Sequence, residues 1–534
     1  MSQAPPRNTD EHHAIAGAAG LIGAATFSSR VLGFVRDIIL ARLLGATMAA
    51  DAFFVAYRIP NLFRELLAEG SMSSAFIPVF TEYHTLRSKQ DTWELASATF
   101  TTLLSIVTLL TLTGIVAAPA IVWVFAPGFH DDPERLRLTT LLTRMMFPYL
   151  IFMSLAALTM GILNSLRAFA APALAPVFFN VCIIASALWL APALDAPITG
   201  VAIGVVIGGL AQFVVQLPGI HQHGLLFRWR FAPRHPGVVK IGLLIVPTLL
   251  GISATQINIT VSTVLASYFP GGPTYLFYSM RLIQFPLGIL GIALATALLP
   301  TLSDQAARRA MDDLRDTLGF GLRMIVFLMV PAMIGVIMLR YPIVHVFFEH
   351  GAFTATDTHG TADALMAYAA GLWAFAGIRI IVAAFYALHD TKTPAMAAVL
   401  AMLANIVLAM ILMRPLEHVG LALATALSAM VHLSVLLGIL THRLGGTDWR
   451  RVGRSLGHAG LATIPVMLAC TWVAGLAVWQ HEDEWIAKGL MLLVGIGLSV
   501  AGYLGTQALL HSEEQHVLWN IVRRHVPFRR AGQG

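Results

Sequence analysis

Of 534 residues, 57% are hydrophobic and only 12% charged, and the mean hydropathy is +0.75. Soluble globular chains carry about 25% charged residues, so this composition excludes a water-soluble fold and describes a protein that crosses a membrane many times. The net charge of +6 does not call for a nucleic-acid partner, because topology accounts for the cations.

Apolar windows long enough to cross roughly 30 Å of hydrocarbon as helices run at about 16–44, 51–82, 94–126, 137–163, 171–191, 198–220, 240–268, 273–303, 316–348, 362–388, 393–413, 418–441, 456–479 and 486–510. The expected fold is therefore an all-α polytopic membrane protein with about fourteen transmembrane helices. If the first helix leaves the cytoplasm, twenty of the 34 Lys and Arg residues fall in cytoplasmic segments and five outside, the remaining nine lying in or at the ends of spans. That bias places both termini in the cytoplasm. Residues 1–13 are polar and the first apolar run is too long for a signal-peptide core, so the first span is expected to stay in the mature protein. Cys182 and Cys470 fall in separate apolar windows and read as small core residues rather than a disulfide or metal pair.

The first two spans are unusual for their charges. Arg30, Arg36 and Asp37 lie in the first, and Asp51, Arg58, Arg64, Glu65 and Glu69 in the second. One such charge at the bilayer centre costs roughly 2.5–3.5 kcal/mol, which makes intramembrane charges functional candidates by default. On an ideal helix Arg30 and Asp37 share a face, as do Arg58 and Glu65, with Gly33 and Pro60 as local points of bending. Arginine presents a planar fork of five donors that grips phosphate oxygens bidentately and keeps its charge. Arg30, Arg36, Arg58, Arg64 and Arg281 are accordingly the candidate ligands of a pyrophosphate or similar dianion. Asp37, Asp51, Glu65 and Glu69 are the candidate counter-charges that gate or couple when the site is empty.

Further along, the chain repeats itself at an offset of about 220 residues. The segment from Gly200 to Gln212 resembles that from Gly420 to His432. Tyr57-Arg58 and Met280-Arg281 open similar long helices that end at Pro78 and Pro300, and the approach to Pro172 parallels that to Pro394. A unit of six spans repeats in the same orientation, which predicts two six-helix lobes related by a pseudo-twofold axis along the membrane normal, with a central cleft. The expected organisation is a tail at 1–13, an N-lobe at 14–224, a C-lobe at 225–443, two extra C-terminal helices within 444–510 and a basic tail at 511–534. Val517, Leu518, Ile521 and Val522 among basic residues read as an interfacial helix.

Walker-type phosphate loops, zinc-ligand spacings and a convincing Ser/His/Asp set are absent from the sequence, so neither a metal, a cofactor nor an enzymatic activity is expected. Energy must then come from an ion gradient, the membrane potential or the substrate gradient. A membrane-embedded enzyme would need a catalytic loop or paired acids outside the helices.

The run Ser29-Arg-Val-Leu-Gly-Phe-Val-Arg-Asp37 is followed by Ala41-Arg-Leu-Leu-Gly-Ala46, Ala50-Asp-Ala-Phe-Phe-Val-Ala56, Ile59-Pro-Asn-Leu-Phe-Arg64 and Ala68-Glu-Gly70. Together with Arg281-Leu-Ile-Gln-Phe-Pro286 and Asp390-Thr-Lys-Thr-Pro394, these closely resemble the bacterial lipid II flippases of the MurJ/MviN family, within the MOP superfamily. The resemblance implies two six-helix lobes and a substrate, undecaprenyl-pyrophosphate-linked disaccharide-pentapeptide, moved from the inner to the outer leaflet for peptidoglycan synthesis. It implies a bacterial inner-membrane location, with membrane lipids and the cell-wall synthesis machinery as surroundings. By motif, Arg30, Arg36 and Arg281 match the family's cleft arginines, Asp37 the adjacent acid, and Asp51, Arg64 and Glu69 charged positions of the second helix. The two extra helices look like a lateral groove for the polyprenyl tail. The sequence departs from the family pattern at Met280 and Gln284, where many relatives have acids, and the surroundings of Asn258, Asn405 and Thr425 offer no clear acid for a cation site. Sodium coupling is therefore not carried over. The rival reading is an ion-coupled multidrug, or other lipid-linked oligosaccharide, exporter of the same superfamily; a cleft for cationic drugs favours acids or aromatics, which the arginines oppose.

Overall fold

The computed structural model describes residues 8–66, 71–446, 448–480 and 485–525. Among these there is no β-strand, and helices of high mean hydropathy dominate. Nine are long and apolar enough to cross a membrane among the described residues, or up to eleven if each of two bent pairs forms one span. Helix α1 (Asn8–Leu44) carries Arg30, Arg36, Asp37 and Arg42, and α2 (Met48–Arg64) has 17 residues.

The helices gather into two compact units. The first takes the chain up to Thr274 together with His350–Phe353; the second takes Tyr275–Glu349 and the chain from Thr354 onward. In the first unit α2 is followed by α3 (Ser71–Leu86), α4 (Lys89–Phe125), α5 (Pro133–Met146) and α6 (Tyr149–Ser165). Then come α7 (Ala170–Ala185), α8 (Pro197–Val214), the short α9 (Leu217–Gln222) and α10 (Pro236–Ala266). Helix α7 packs against both α1 and α8, α2 against α5, and α3 against α6 and α10. Close approach in this unit uses small residues. Any Cβ at Gly204 would meet the Ser186 side chain, and one at Gly209 the ring of Tyr149.

The turn after α1 shows what a glycine can be required to do. Gly45 adopts φ +58°, and a Cβ there would lie 2.2 Å from the carbonyl oxygen of Ala352, whose amide in turn donates to the carbonyl of Arg42 at 2.9 Å. A left-handed conformation costs a non-glycine residue about 1–2 kcal/mol, and the displaced atom here is backbone. Gly45→Ala is therefore expected to lower the thermal unfolding temperature of the purified protein, whereas Gly242→Ala, with open space around the added carbon, leaves it nearly unchanged.

The second unit contains most of α11 (Gly272–Pro286), a π-helical stretch Leu287–Ile292, α12 (Ala293–Ala307), α13 (Met311–Met338), α14 (Arg340–Phe348) and α15 (Ala355–Ala369). These are followed by α16 (Leu372–Ala387), α17 (Lys392–Arg443), α18 (Trp449–Ala474), α19 (Trp485–Leu509) and α20 (Glu513–His525). The 52 residues of α17 are not one straight rod. Glu417 has φ 50° and ψ −131°, Pro415 precedes it, and a Cβ on Gly420 would come within 2.2 Å of the Leu412 carbonyl oxygen. The chain thus breaks between the apolar windows at 393–413 and 418–441.

Helices α13, α18 and α19 share a core that includes Phe327, Val466, Cys470 and Tyr503. Cys470 is buried there and Cys182 is half-buried on α7; both are free thiols. Helix α20 docks on this unit: Leu518 packs against the same core, and the Arg323 guanidinium donates to Glu514 at 3.1 Å. Residues 526–530 of the expected interfacial helix lie outside the described residues.

Local geometry recurs at the repeat offset. Arg167 and His389, each a few residues before a repeated proline, both have positive φ (59° and 58°). Helix α2 passes into π-helical turns at Glu65 and Leu66, as α11 does at Leu287–Ile292. Ahead of Pro394, Asp390 accepts from the Thr393 hydroxyl (2.6 Å) and amide (2.9 Å) and from Arg443 (2.5 Å). The Thr393 bonds, then Arg443, hold this half-buried carboxyl well below the usual carboxylate range.

Candidate functional site

Two polar clusters stand inside the apolar frame of the first unit. In α1 the Arg36 guanidinium donates through Nε (3.0 Å) and Nη2 (2.7 Å) to Oδ1 of Asp37, which is fully buried. Its Nη1 donates to Oδ1 of Asn180 on α7 at 3.0 Å. Asn180 is itself fixed, because its amide nitrogen donates to the carbonyls of Ser29 and Pro176, both at 3.1 Å. Asn180 lies beside Gly33, where an added carbon would sit in ordinary van der Waals contact with its side chain at 3.7 Å. Asn180 thus ties the two helices together and fixes one edge of the Arg36 fork.

The second cluster grows from α2. Pro60 withholds a backbone donor, and the helix loosens into π-helical turns at Glu65 and Leu66. The i,i+7 spacing of Arg58 and Glu65 brings them to 3.7 Å, and Arg64 lies 3.6 Å from the same carboxylate oxygen. Asn61 donates to Glu65 and accepts from Nε of Arg64, both at 2.8 Å. Arg58 also donates to Oε1 of Gln256 on α10 at 2.7 Å. One carboxylate therefore serves two guanidinium groups, in arginine side chains that are only about one-seventh exposed (14% and 13%). Tyr57, adjacent to Arg58, and Tyr149 lie within electrostatic reach of Arg36, their rings 6.2 Å apart.

The other expected site residues fall elsewhere. Arg30 is on an exposed face of α1. Glu69 lies outside the described residues. Asp51 is fully buried at the start of α2, where it accepts from the amides of Gly271 (2.8 Å) and Thr274 (3.2 Å) and from the Thr274 hydroxyl (2.6 Å). It also forms an ion pair with Arg135 of α5, whose guanidinium stacks 4.2 Å over the Phe129 ring. Arg281 belongs to the second unit; it donates to Gln284 at 3.4 Å and lies 5.3 Å from the Phe277 ring centroid. The neutral amide thus occupies the position from which an acid would have reached this arginine.

Sequence reasoning missed Asn180, Gln256 and Arg135. Their partners are 144, 198 and 84 residues away, and no local spacing marks them. No group of three or more His, Cys, Asp or Glu side chains suited to a metal ion occurs among the described residues. Chemically, the two clusters are guanidinium forks held by carboxylate and amide oxygens, which the oxygens of a phosphate group can replace one for one.

A family model described as "Lipid II flippase MurJ" matches residues 40–494. A Vibrio cholerae protein called "Probable lipid II flippase MurJ" is 39% identical over 510 residues, covering 92% of this chain and 95% of its own. A Burkholderia cenocepacia "Lipid II flippase MurJ" is 35% identical over 515 residues, with 95% and 97% covered. Among solved structures, "Lipid II flippase MurJ, inward closed conformation" aligns with a TM-score of 0.76 at 27% identity, over 92% of this chain and 99% of that one. An inward-facing multidrug transporter of the MATE family, in the MOP superfamily, aligns with a TM-score of 0.64 at 16% identity over 78% and 94%, a likeness of fold alone. With a family model spanning most of its length and relatives above 30% identity matched over nearly their whole chains, the protein belongs to the MurJ family of membrane transporters.

Proposed function

We propose that this protein is a lipid II flippase of the bacterial inner membrane. It moves undecaprenyl-pyrophosphate-linked disaccharide-pentapeptide from the inner to the outer leaflet by alternating access, with the head group held in a central arginine-lined cleft. The observation that carries this reading is the pair of guanidinium clusters, Arg36 with Asp37 and Arg58 and Arg64 with Glu65, set within apolar helices. Charges in that setting are retained at a cost unless they are used. A pyrophosphate is the ligand whose oxygens best match a set of planar forks.

In this reading Arg30, Arg36, Arg58, Arg64 and Arg281 contact the head group, while Asp37, Asp51, Glu65 and Glu69 act as gating or coupling acids. Fourteen spans in two six-helix lobes plus two further helices complete the fold, with both termini cytoplasmic. The recurrence of positive φ at Arg167 and His389, and of π-helical turns at Glu65–Leu66 and Leu287–Ile292, supports the duplication. Helices α18 and α19 supply the groove for the polyprenyl tail.

Purified protein reconstituted into liposomes carrying lipid II is expected to accelerate exposure of head groups to a membrane-impermeant modifying enzyme. Imposed ion gradients and membrane potentials, applied one at a time, identify the driving force. Exposure no faster than in protein-free liposomes under every gradient would overturn the assignment in favour of an exporter of other cargo.

A further inference from the structure

Between α9 and α10 the segment 225–234 forms an irregular strap along the start of α4. Its inward side is well anchored. Leu225 is buried, the Phe227 ring stacks on Phe100 at 4.2 Å, and the amides of Arg228 and Arg230 donate to the hydroxyls of Ser97 (3.4 Å) and Thr101 (3.1 Å), one helical turn apart. Its outward side combines two chemistries. Leu226, Trp229 and Phe231 are 63%, 75% and 60% exposed, and Arg228, Arg230 and Arg234, also exposed, alternate with or follow them.

Neither bulk water nor hydrocarbon suits such a surface. Exposed tryptophan and phenylalanine are costly in water, and three arginines in seven residues are costly in acyl chains. The zone that suits both is the headgroup layer, where aromatic rings settle and cations meet phosphate. The geometry places the strap at that depth. Helix α4 has 37 residues, well beyond the ~20 needed to cross the hydrocarbon, and its strap-bearing first turns contain Lys89, Gln90, Asp91 and Glu94. The charge is unbalanced: Glu94 pairs with Arg230 at 3.0 Å and Glu82 with Lys240 at 2.6 Å, while Arg228 and Arg234 add to the cations of the same surface.

We infer that the 225–234 strap is a binding surface for anionic phospholipid, with Trp229 inserted among the headgroups and Arg228 and Arg234 on their phosphates. The inference rests on the multi-span fold alone and stands whether or not the protein moves lipid II.

The test uses the full-length protein in phosphatidylcholine nanodiscs doped with brominated phosphatidylglycerol or, separately, brominated phosphatidylcholine. The Trp229 contribution is taken as the difference between wild type and Trp229→Phe, a change at an exposed position that leaves the fold intact. Brominated phosphatidylglycerol is expected to quench that contribution several-fold more strongly than brominated phosphatidylcholine at the same content. Arg228→Gln and Arg234→Gln are each expected to reduce the preference by about fivefold, in line with the attraction of a single basic side chain to an anionic surface. Equal quenching by the two lipids, or no quenching of the Trp229 contribution by either, would overturn the proposal.

Discussion

Arg36→Lys is expected to reduce lipid II flipping in liposomes by roughly 10- to 100-fold while leaving the protein folded. Arg36 directs two nitrogens at Asp37 and a third at Asn180. Lysine preserves the charge, so the buried Asp37 keeps a counter-ion, but an ammonium is a point donor and cannot present a fork to two phosphate oxygens. A hydrogen bond to a charged group contributes about 1.5–3 kcal/mol, which sets the expected range. Arg36→Ala is the less informative change. It removes the guanidinium that pairs with the buried Asp37, and breaking a buried pair from one side costs about 3–5 kcal/mol, so lost transport would be confounded with lost protein. Arg36→Ala combined with Asp37→Ala removes both charges and should recover much of the folded yield while flipping stays absent. If Arg36→Lys flips lipid II at the wild-type rate, Arg36 is half of a static ion pair and the head group is held elsewhere.

What was legible in the sequence followed from short-range geometry. The i,i+7 spacing of Arg58 and Glu65, the break between the windows at 393–413 and 418–441, and the charge density of the first two helices are properties of a few neighbouring residues, and each has a counterpart in the structure. Residue type alone did not distinguish Arg30, exposed on α1, from Arg36, which α7 fixes through Asn180. That distinction depends on which face of α1 meets α7, a residue of which lies 144 positions away in the sequence. Gln256 escaped notice for a similar reason, since a single amide on a long apolar helix carries no pattern until α10 is seen to place it 2.7 Å from Arg58.

Asp51→Ala is expected to destabilise the protein by about 3–5 kcal/mol, the cost of leaving a buried charge without its partner, read as a large fall in the thermal unfolding temperature in detergent. Asp51 has no exposed surface, and its two oxygens are engaged by two amides, a hydroxyl and a guanidinium drawn from two other segments of the first unit. Its removal orphans the Gly271 amide and both donors of Thr274 as well as Arg135. Asp51→Asn keeps one carbonyl oxygen for Thr274 but turns an amide group toward other donors, so it should lose less stability than Asp51→Ala. Replacing Asp51 and Arg135 together by Ala and Met removes the charge mismatch and should recover part of the loss, because the desolvation cost of both ions disappears with them. Transport per folded molecule decides between two roles for this carboxylate. If it falls in Asp51→Asn well beyond the loss of folded protein, and its dependence on an imposed pH gradient disappears, Asp51 couples transport to protons. If transport tracks the folded fraction across all three variants, Asp51 serves as the anchor of α2, and the coupling acids are to be sought at Asp37 and Glu65, whose partners are the arginines that a phosphate would compete for.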